Sequence, residues 1–310
     1  KVNRTCKPLN KEGVCIGEVS DRLKTCLNEI EAVRKDCTDY SILNSTIEKY
    51  RTFLTNYPVI SKDNMLRIEK NIDYQYGINV RFLYNKALVY QLYLENIREI
   101  DKQDFPSKVV NFLREDFSHI INLANEGDKE LLTFSNFQFF SYIKKLSLKS
   151  FPVGIQNIEI SGIQRSLMFK QSFSNVIGFI KLILLMGGNY PLYELHLNPH
   201  RYELFSPNGA DEALRLTAQI IANRKDIKGV FGATWAHDPA LKKISPELSY
   251  IREMIEEIGG EFFLVSSSEE DRKNAFAFSK TRKVAYEEGR YNPTSYLMII
   301  PRDTLLMHYM

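Results

Sequence analysis

Tyr193-Glu194-Leu195-His196-Leu197-Asn198-Pro199-His200 and Gly229-Val230-Phe231-Gly232-Ala233-Thr234-Trp235-Ala236-His237-Asp238-Pro239 decide how the second half of this chain folds. Each is an apolar run that stops at a polar turn marked by proline, as a strand does. Between them, Asp211 to Arg224 repeats apolar residues at helical spacing. A strand, a helix and a strand in succession predict a crossover whose two strands lie side by side and parallel, with their polar ends on one edge. Open α/β sheets bind ligands at that edge. Three of the chain's five histidines, His196, His200 and His237, fall there.

The pattern around this unit predicts more alternation. Strands are expected at Ile155–Ile160, Tyr193–Leu197, Gly229–Thr234, Phe262–Val265 and Tyr296–Ile300, and helices at Ser166–Met186, Gly209–Arg224, Glu247–Ile258 and Glu269–Glu288. Val176–Met186 reads equally well as the end of a buried helix or as a separate buried strand. The expected class is α/β, a mainly parallel or mixed sheet with flanking helices.

The amino-terminal half differs. Residues 1–150 hold 4 of the 15 glycines and 3 of the 11 prolines. Helical periodicity recurs over Val19–Cys37, Ile42–Leu54, Ser61–Ile72, Val80–Ile100, Ser107–Ala124 and Lys129–Lys149, so this half is expected to be all-helical. The expected domains are 1–150, helical, and 151–310, α/β and carrying the site. The many Tyr and Phe of the first half lie on apolar stripes without interleaved Arg or Lys, which favours core packing over base stacking. His119, next to that face, reads as a partnered core or boundary histidine.

Composition narrows the function classes. The 310 residues are 44% hydrophobic and 25% charged, with a formal net charge of +3. These are the values of a soluble globular chain, and the charge is too small and too well mixed to imply a nucleic-acid partner. No apolar run approaches the ~20 residues that span a bilayer. All four cysteines lie within the first 37 residues, without a CxxC pair. They read either as free thiols on a core-facing helix or as disulfides pinning an amino-terminal arm. The cytoplasm is the favoured location. Export is the alternative, because the chain begins at Lys1 and its cysteines cluster at that end.

Alternation along Tyr193–Asn198 places Glu194, His196 and Asn198 on one face and Tyr193, Leu195 and Leu197 on the other. A carboxylate beside an imidazole at a sheet edge suits proton transfer, and suits a structural hydrogen-bonded pair equally. Ser206-Pro207-Asn208-Gly209-Ala210 enters the next helix, where backbone N–H groups cradle a phosphate. Thr234, Trp235, His237 and Asp238 share the edge. Arg282 and Arg290, further along the chain, are candidates to grip an anionic ligand, and these six residues together with Tyr286 are expected to bind substrate. Ser267 with Glu270 reads as a helix capping box. The chain lacks GxGxxG, GxxxxGK[ST] and GxSxG, which argues against dinucleotide, P-loop and hydrolase-elbow chemistry.

Gly232–Pro239, Ile244–Arg252 and Arg282–Pro293 resemble a bacterial protein family to which no activity attaches. Asn175-Val176-Ile177-Gly178-Phe179-Ile180-Lys181-Leu182 also resembles the second strand of GNAT-type acyltransferases. Glu194 to Arg201 followed by Asn208-Gly209-Ala210 resembles their fourth strand, pyrophosphate loop and helix. That likeness implies a coenzyme A thioester as cofactor and a base at Glu194 or His196.

Three readings follow. The first is a transferase, with acyl transfer the leading candidate: Glu194 and His196 supply the base, and residues 198–210 with His200, Asn208 and Gly209 hold the substrate, a small molecule or a protein. The second is a non-enzymatic interaction or effector-type protein whose helical half meets a partner. The third, resting on the weakest spacing, is a metal-dependent enzyme using His196, His200, His237 and Asp238.

Overall fold

The computed structural model describes residues 14–35, 62–163, 173–277 and 279–310. The chain divides into two compact units, Lys1–Phe151 and Pro152–Met310.

The described part of the first unit holds α1 (Ile16–Lys35), α2 (Lys62–Tyr76), α3 (Ile78–Asn96), α4 (Ser107–Glu126) and α5 (Phe137–Leu146). The expected helix at Ile42–Leu54 lies outside the described residues. The apolar stripes close on a core in which Tyr84, Tyr90, Tyr93, Phe117, Phe134 and Phe139 are fully buried, whereas Tyr74 and Phe137 are exposed. His119 is exposed, and its ring meets Tyr142 edge-on at 6.1 Å. Helix α5 begins eight residues later than its periodicity predicts. The Asp128 carboxylate accepts the N–H groups of Glu130 and Leu131, which holds a turn there, and the Asn136 side chain then caps the helix from Gln138 N. Local side-chain acceptors thus override periodicity. Cys26 is buried and free, whereas Cys15 is disulfide-bonded; Cys6 and Cys37 lie outside the described residues.

The sheet has six strands: β1 (Ser150–Pro152), where the chain passes into the second unit, β2 (Gln156–Ser161), β3 (Leu192–Leu197), β4 (Gly229–Thr234), β5 (Glu261–Ser266) and β6 (Ser295–Pro301). Their order is β1-β2-β3-β4-β6-β5. Strands β3 and β4 are parallel neighbours, as the crossover predicts. Pairs β2/β3, β4/β6 and β5/β6 are antiparallel, so of the two expected arrangements the sheet is the mixed one. Two placements cause this: β2 runs against β3, and β6 inserts between β4 and β5 and runs against both, long-range arrangements that no local pattern encodes.

The described residues of this unit also hold helices α6 (Phe173–Leu185), α7 (Pro207–Ala222), α8 (Tyr250–Ile258), α9 (Glu269–Phe276), α10 (Lys280–Glu287) and α11 (Arg302–Tyr309), with a single helical turn at Leu241–Ile244. On one face of the sheet, Phe179 and Leu182 of α6 pack with Leu192, Phe231, Leu297 and Ile299. The stretch that resembles an acyltransferase second strand is therefore helix. Phe179 and Leu182 face inward, while Ile177, Ile180 and Leu184 are exposed, a period of 3.6 rather than 2. The single helix expected over Glu269–Glu288 is two, because Ser279 accepts the N–H of Arg282 and starts α10 anew. The capping box of α9 lies one residue beyond its expected place: Ser268 and Asp271 form it, and the Ser267 hydroxyl donates instead to the carbonyl of Pro293.

Candidate functional site

Strand β3 runs from the core to the surface: Leu192 and Tyr193 are buried, and His196 and Leu197 are exposed. Its ladder to β4 holds only two pairs, Tyr193↔Val230 and Glu194↔Phe231. Strand β4 meanwhile stays paired with β6 from Gly229 to Thr234. Beyond Glu194 and Phe231 the parallel ladder ends, and a cavity of about 330 Å³ opens at that point. Leu195 and Leu197 of β3, Gly232 and Thr234 of β4, Ala210 and Leu214 of α7, and Tyr250 and Met254 of α8 line it, together with Met298 of β6. The walls are mainly apolar with a few polar groups, which is the usual make-up of a small-molecule site. Gly232 leaves the floor open; a Cβ there would meet Leu195 at 3.4–3.5 Å, ordinary contact.

The pleat sends Glu194 and His196 to the other face. There the antiparallel register sets Glu159 opposite Glu194 and Asn157 opposite His196. His196 Nε2 lies 3.4 Å from Glu159 Oε1 and 3.8 Å from Glu194 Oε1. The imidazole is 43% exposed and the carboxylates are 15% (Glu159) and 29% (Glu194) exposed. His196 sits at the rim and also lines the cavity. Sequence reading found the pair but not Glu159. The alternation Gln156-Asn157-Ile158-Glu159-Ile160 marks the strand, yet nothing local says that it pairs with β3.

His237 lines the cavity as a fixed group. It is 4% exposed, and its Nδ1 lies 3.1 Å from the carbonyl of Tyr296, which only accepts, so Nδ1 carries the proton. Burial drives its pKa down to about 4, so the ring is neutral at pH 7. The depressed value makes it a weak base. It also couples His237 to stability. The neutral ring contributes fully above the ordinary value of about 6.5 and progressively less as pH falls toward 4, roughly 3 kcal/mol in all. Urea titrations at pH 7.5 and pH 4.5 should show a His237→Gln variant closing most of the gap to wild type at the lower pH. A constant gap at both values would contradict this assignment. Asp238 accepts from the N–H groups of Ala240 and Thr294, which makes it a turn cap.

The other candidates separate. Thr234 lines the cavity and its hydroxyl caps the Trp235–His237 turn from Ala236 N. Trp235 also lines it, with the Arg282 guanidinium 4.9 Å from the ring centre. Arg282 is buried, donating to the carbonyl of Ala275 at 2.6 Å and to the Ser245 hydroxyl at 3.1 Å, so it ties helices together. Tyr286 packs on Phe276, and Arg290 pairs with Glu288; neither reaches the cavity. His200 and Asn208 are exposed. In the loop before α7, Ser206 caps the helix from Gly209 N, and its carbonyl accepts from Ala210 N. Gly209 is required because a Cβ would lie 1.9 Å from the Leu204 carbonyl oxygen. The first turn of α7 therefore has fewer N–H groups left for a phosphate than its sequence suggests. The set His196, His200, His237 and Asp238 does not converge. Among the described residues, the group of metal-ligand type is Glu159, Glu194 and His196.

No helix among the described residues is long and apolar enough to cross a membrane. The sequence matches no family model and no curated protein. Among solved structures it is similar to an acyltransferase in complex with decanoyl-CoA and teicoplanin, at 14% identity and a TM-score of 0.45, over 96% of this chain and 90% of that one. It is also similar to an acyltransferase in complex with CoA and 10C-teicoplanin, at 13% identity and a TM-score of 0.46, over 96% and 90%.

Proposed function

We propose that this protein is an acyltransferase that threads a thioester between β3 and β4. The observation that supports this reading is the parting of the two parallel strands, with an apolar cavity on one face and an imidazole between two carboxylates on the other. In this reading the carrier chain of a coenzyme A thioester fills the cavity against Leu214, Met254 and Met298. Its carbonyl lies in the gap, beside backbone no longer engaged in the β3/β4 ladder. The acceptor approaches from the side of Glu194.

The chemistry is a substitution at the acyl carbon. An amine or hydroxyl of the acceptor attacks the carbonyl, and His196 Nε2 takes the proton released. Collapse of the tetrahedral intermediate breaks the carbon–sulfur bond, and the departing thiolate takes the proton from the imidazolium. Glu194 and Glu159, both nearest Nε2, stabilise the imidazolium through their negative charge.

Coenzyme A thioesters are the first probes. Octanoyl-CoA should raise the melting temperature of the wild type, since a ligand at 100 times its Kd adds about 2.7 kcal/mol. Gly232→Leu puts a side chain into the cavity floor and should abolish that rise without unfolding the chain. Absence of a shift in the wild type with acetyl-, octanoyl- and decanoyl-CoA, or an undiminished shift in Gly232→Leu, would remove the reading.

A further inference from the structure

Asn157 and Glu159 on β2 and Glu194 and His196 on β3 form a two-by-two block on one face of the sheet, because cross-strand partners in an antiparallel pair share a face. One ligating atom from each of Glu159, Glu194 and His196 lies within 4.8 Å of the others. The imidazole Nε2 is 3.4 Å and 3.8 Å from the two carboxylates. Ligands bound at about 2.1 Å around a tetrahedral zinc ion stand about 3.4 Å apart, so the spacing needs little adjustment.

A second observation points the same way. Asn157 is 6% exposed, and its Oδ1 is buried without a hydrogen-bond partner. Buried side-chain oxygens are normally satisfied, and an orphan calls for an explanation. It stands directly opposite His196, where a water held by an ion between the three side chains would donate to it.

We propose that Glu159, Glu194 and His196 bind one divalent transition-metal ion, zinc best matching the nitrogen and oxygen donors, with a water in the fourth position held by Asn157. The imidazole selects such an ion over calcium or magnesium, which prefer oxygen alone. The site does not depend on the transferase reading. Where both hold, the ion occupies the Nε2 lone pair that the base would use, so zinc inhibits transfer.

Cobalt(II) is the probe, since its visible ligand-field absorption reports coordination without any activity assay. Wild type should take up one equivalent with intensified bands that zinc displaces. His196→Ala and Glu159→Gln should each weaken binding by at least ~10-fold, and Asn157→Ala by roughly 10-fold, the usual cost of losing an outer partner. His200→Ala, a control on an exposed histidine, should bind as wild type. Zinc should also protect His196 of the wild type from diethyl pyrocarbonate, read by peptide mass spectrometry, a measurement that needs no variant to fold. Absence of stoichiometric uptake, binding that survives in His196→Ala, or unprotected His196 would each overturn the proposal.

Discussion

Replacing His196 with alanine is expected to cut acyl transfer by about 10²–10⁴-fold, the usual contribution of a positioned base, while moving the melting temperature little. The two halves of that expectation have separate causes. In the proposed mechanism activity depends on Nε2, which has carboxylates at 3.4 and 3.8 Å. Stability depends on what the ring buries, and its side chain is 43% exposed. Losing one member of a buried hydrogen-bonded pair costs about 1–3 kcal/mol, whereas exposed ion pairs contribute about 0–1. Glu194→Gln keeps the shape and removes the charge. It should lower transfer by less than His196→Ala, because Glu159 still faces the ring. Melting curves come first, since they need no acceptor. A drop of several degrees in His196→Ala would mark the ring as structural and end its assignment as the base.

Glu69→Leu is expected to destabilise the helical unit by about 3–5 kcal/mol, the cost of breaking a buried charged network. Glu69 is 3% exposed. Its carboxylate accepts from Asn85 Nδ2 at 2.6 Å, Thr133 Oγ1 at 2.9 Å and Phe134 N at 3.0 Å, and Arg81 Nε lies 4.0 Å away. One side chain thus joins α2, α3 and the turn before α5. Leucine supplies similar bulk but no acceptor, leaving donors and a guanidinium without it in a dry place. At roughly 2–4 °C per kcal/mol for a unit of this size, the melting temperature should fall by about 6–20 °C. Urea unfolding followed by far-ultraviolet circular dichroism measures it; a loss under 1 kcal/mol would show that the network contributes little. Glu69→Gln, which retains one acceptor oxygen, should lose less.

Much of the fold was legible in short stretches. The β3–α7–β4 crossover is read from its own residues, because a strand followed by a helix and a strand has essentially one handed way to return. Strand β4 matches its expected span residue for residue, and α4 follows its apolar stripe. Where local reading slipped, a hydrogen bond from a short polar side chain was responsible: Asn136 delayed α5, Ser279 divided α9 from α10, and Ser268 took the capping role expected of Ser267.

The candidate site was only half legible. Period-2 alternation alone puts Glu194 and His196 on a common face, and Thr234 and His237 at the same end of the sheet. That Glu159 and Asn157 complete the block required β2 to lie against β3, although the α6 segment separates them in sequence. That His237 became a buried, neutral wall of the cavity required Tyr296 of β6 to present its carbonyl there. Which face a side chain takes depends on the pleat, a property of neighbouring residues, so the sequence determines it. Which strand lies alongside, and what a side chain therefore meets across the gap, depends on burying apolar faces contributed by residues far apart in the chain, and the tertiary structure alone decides that.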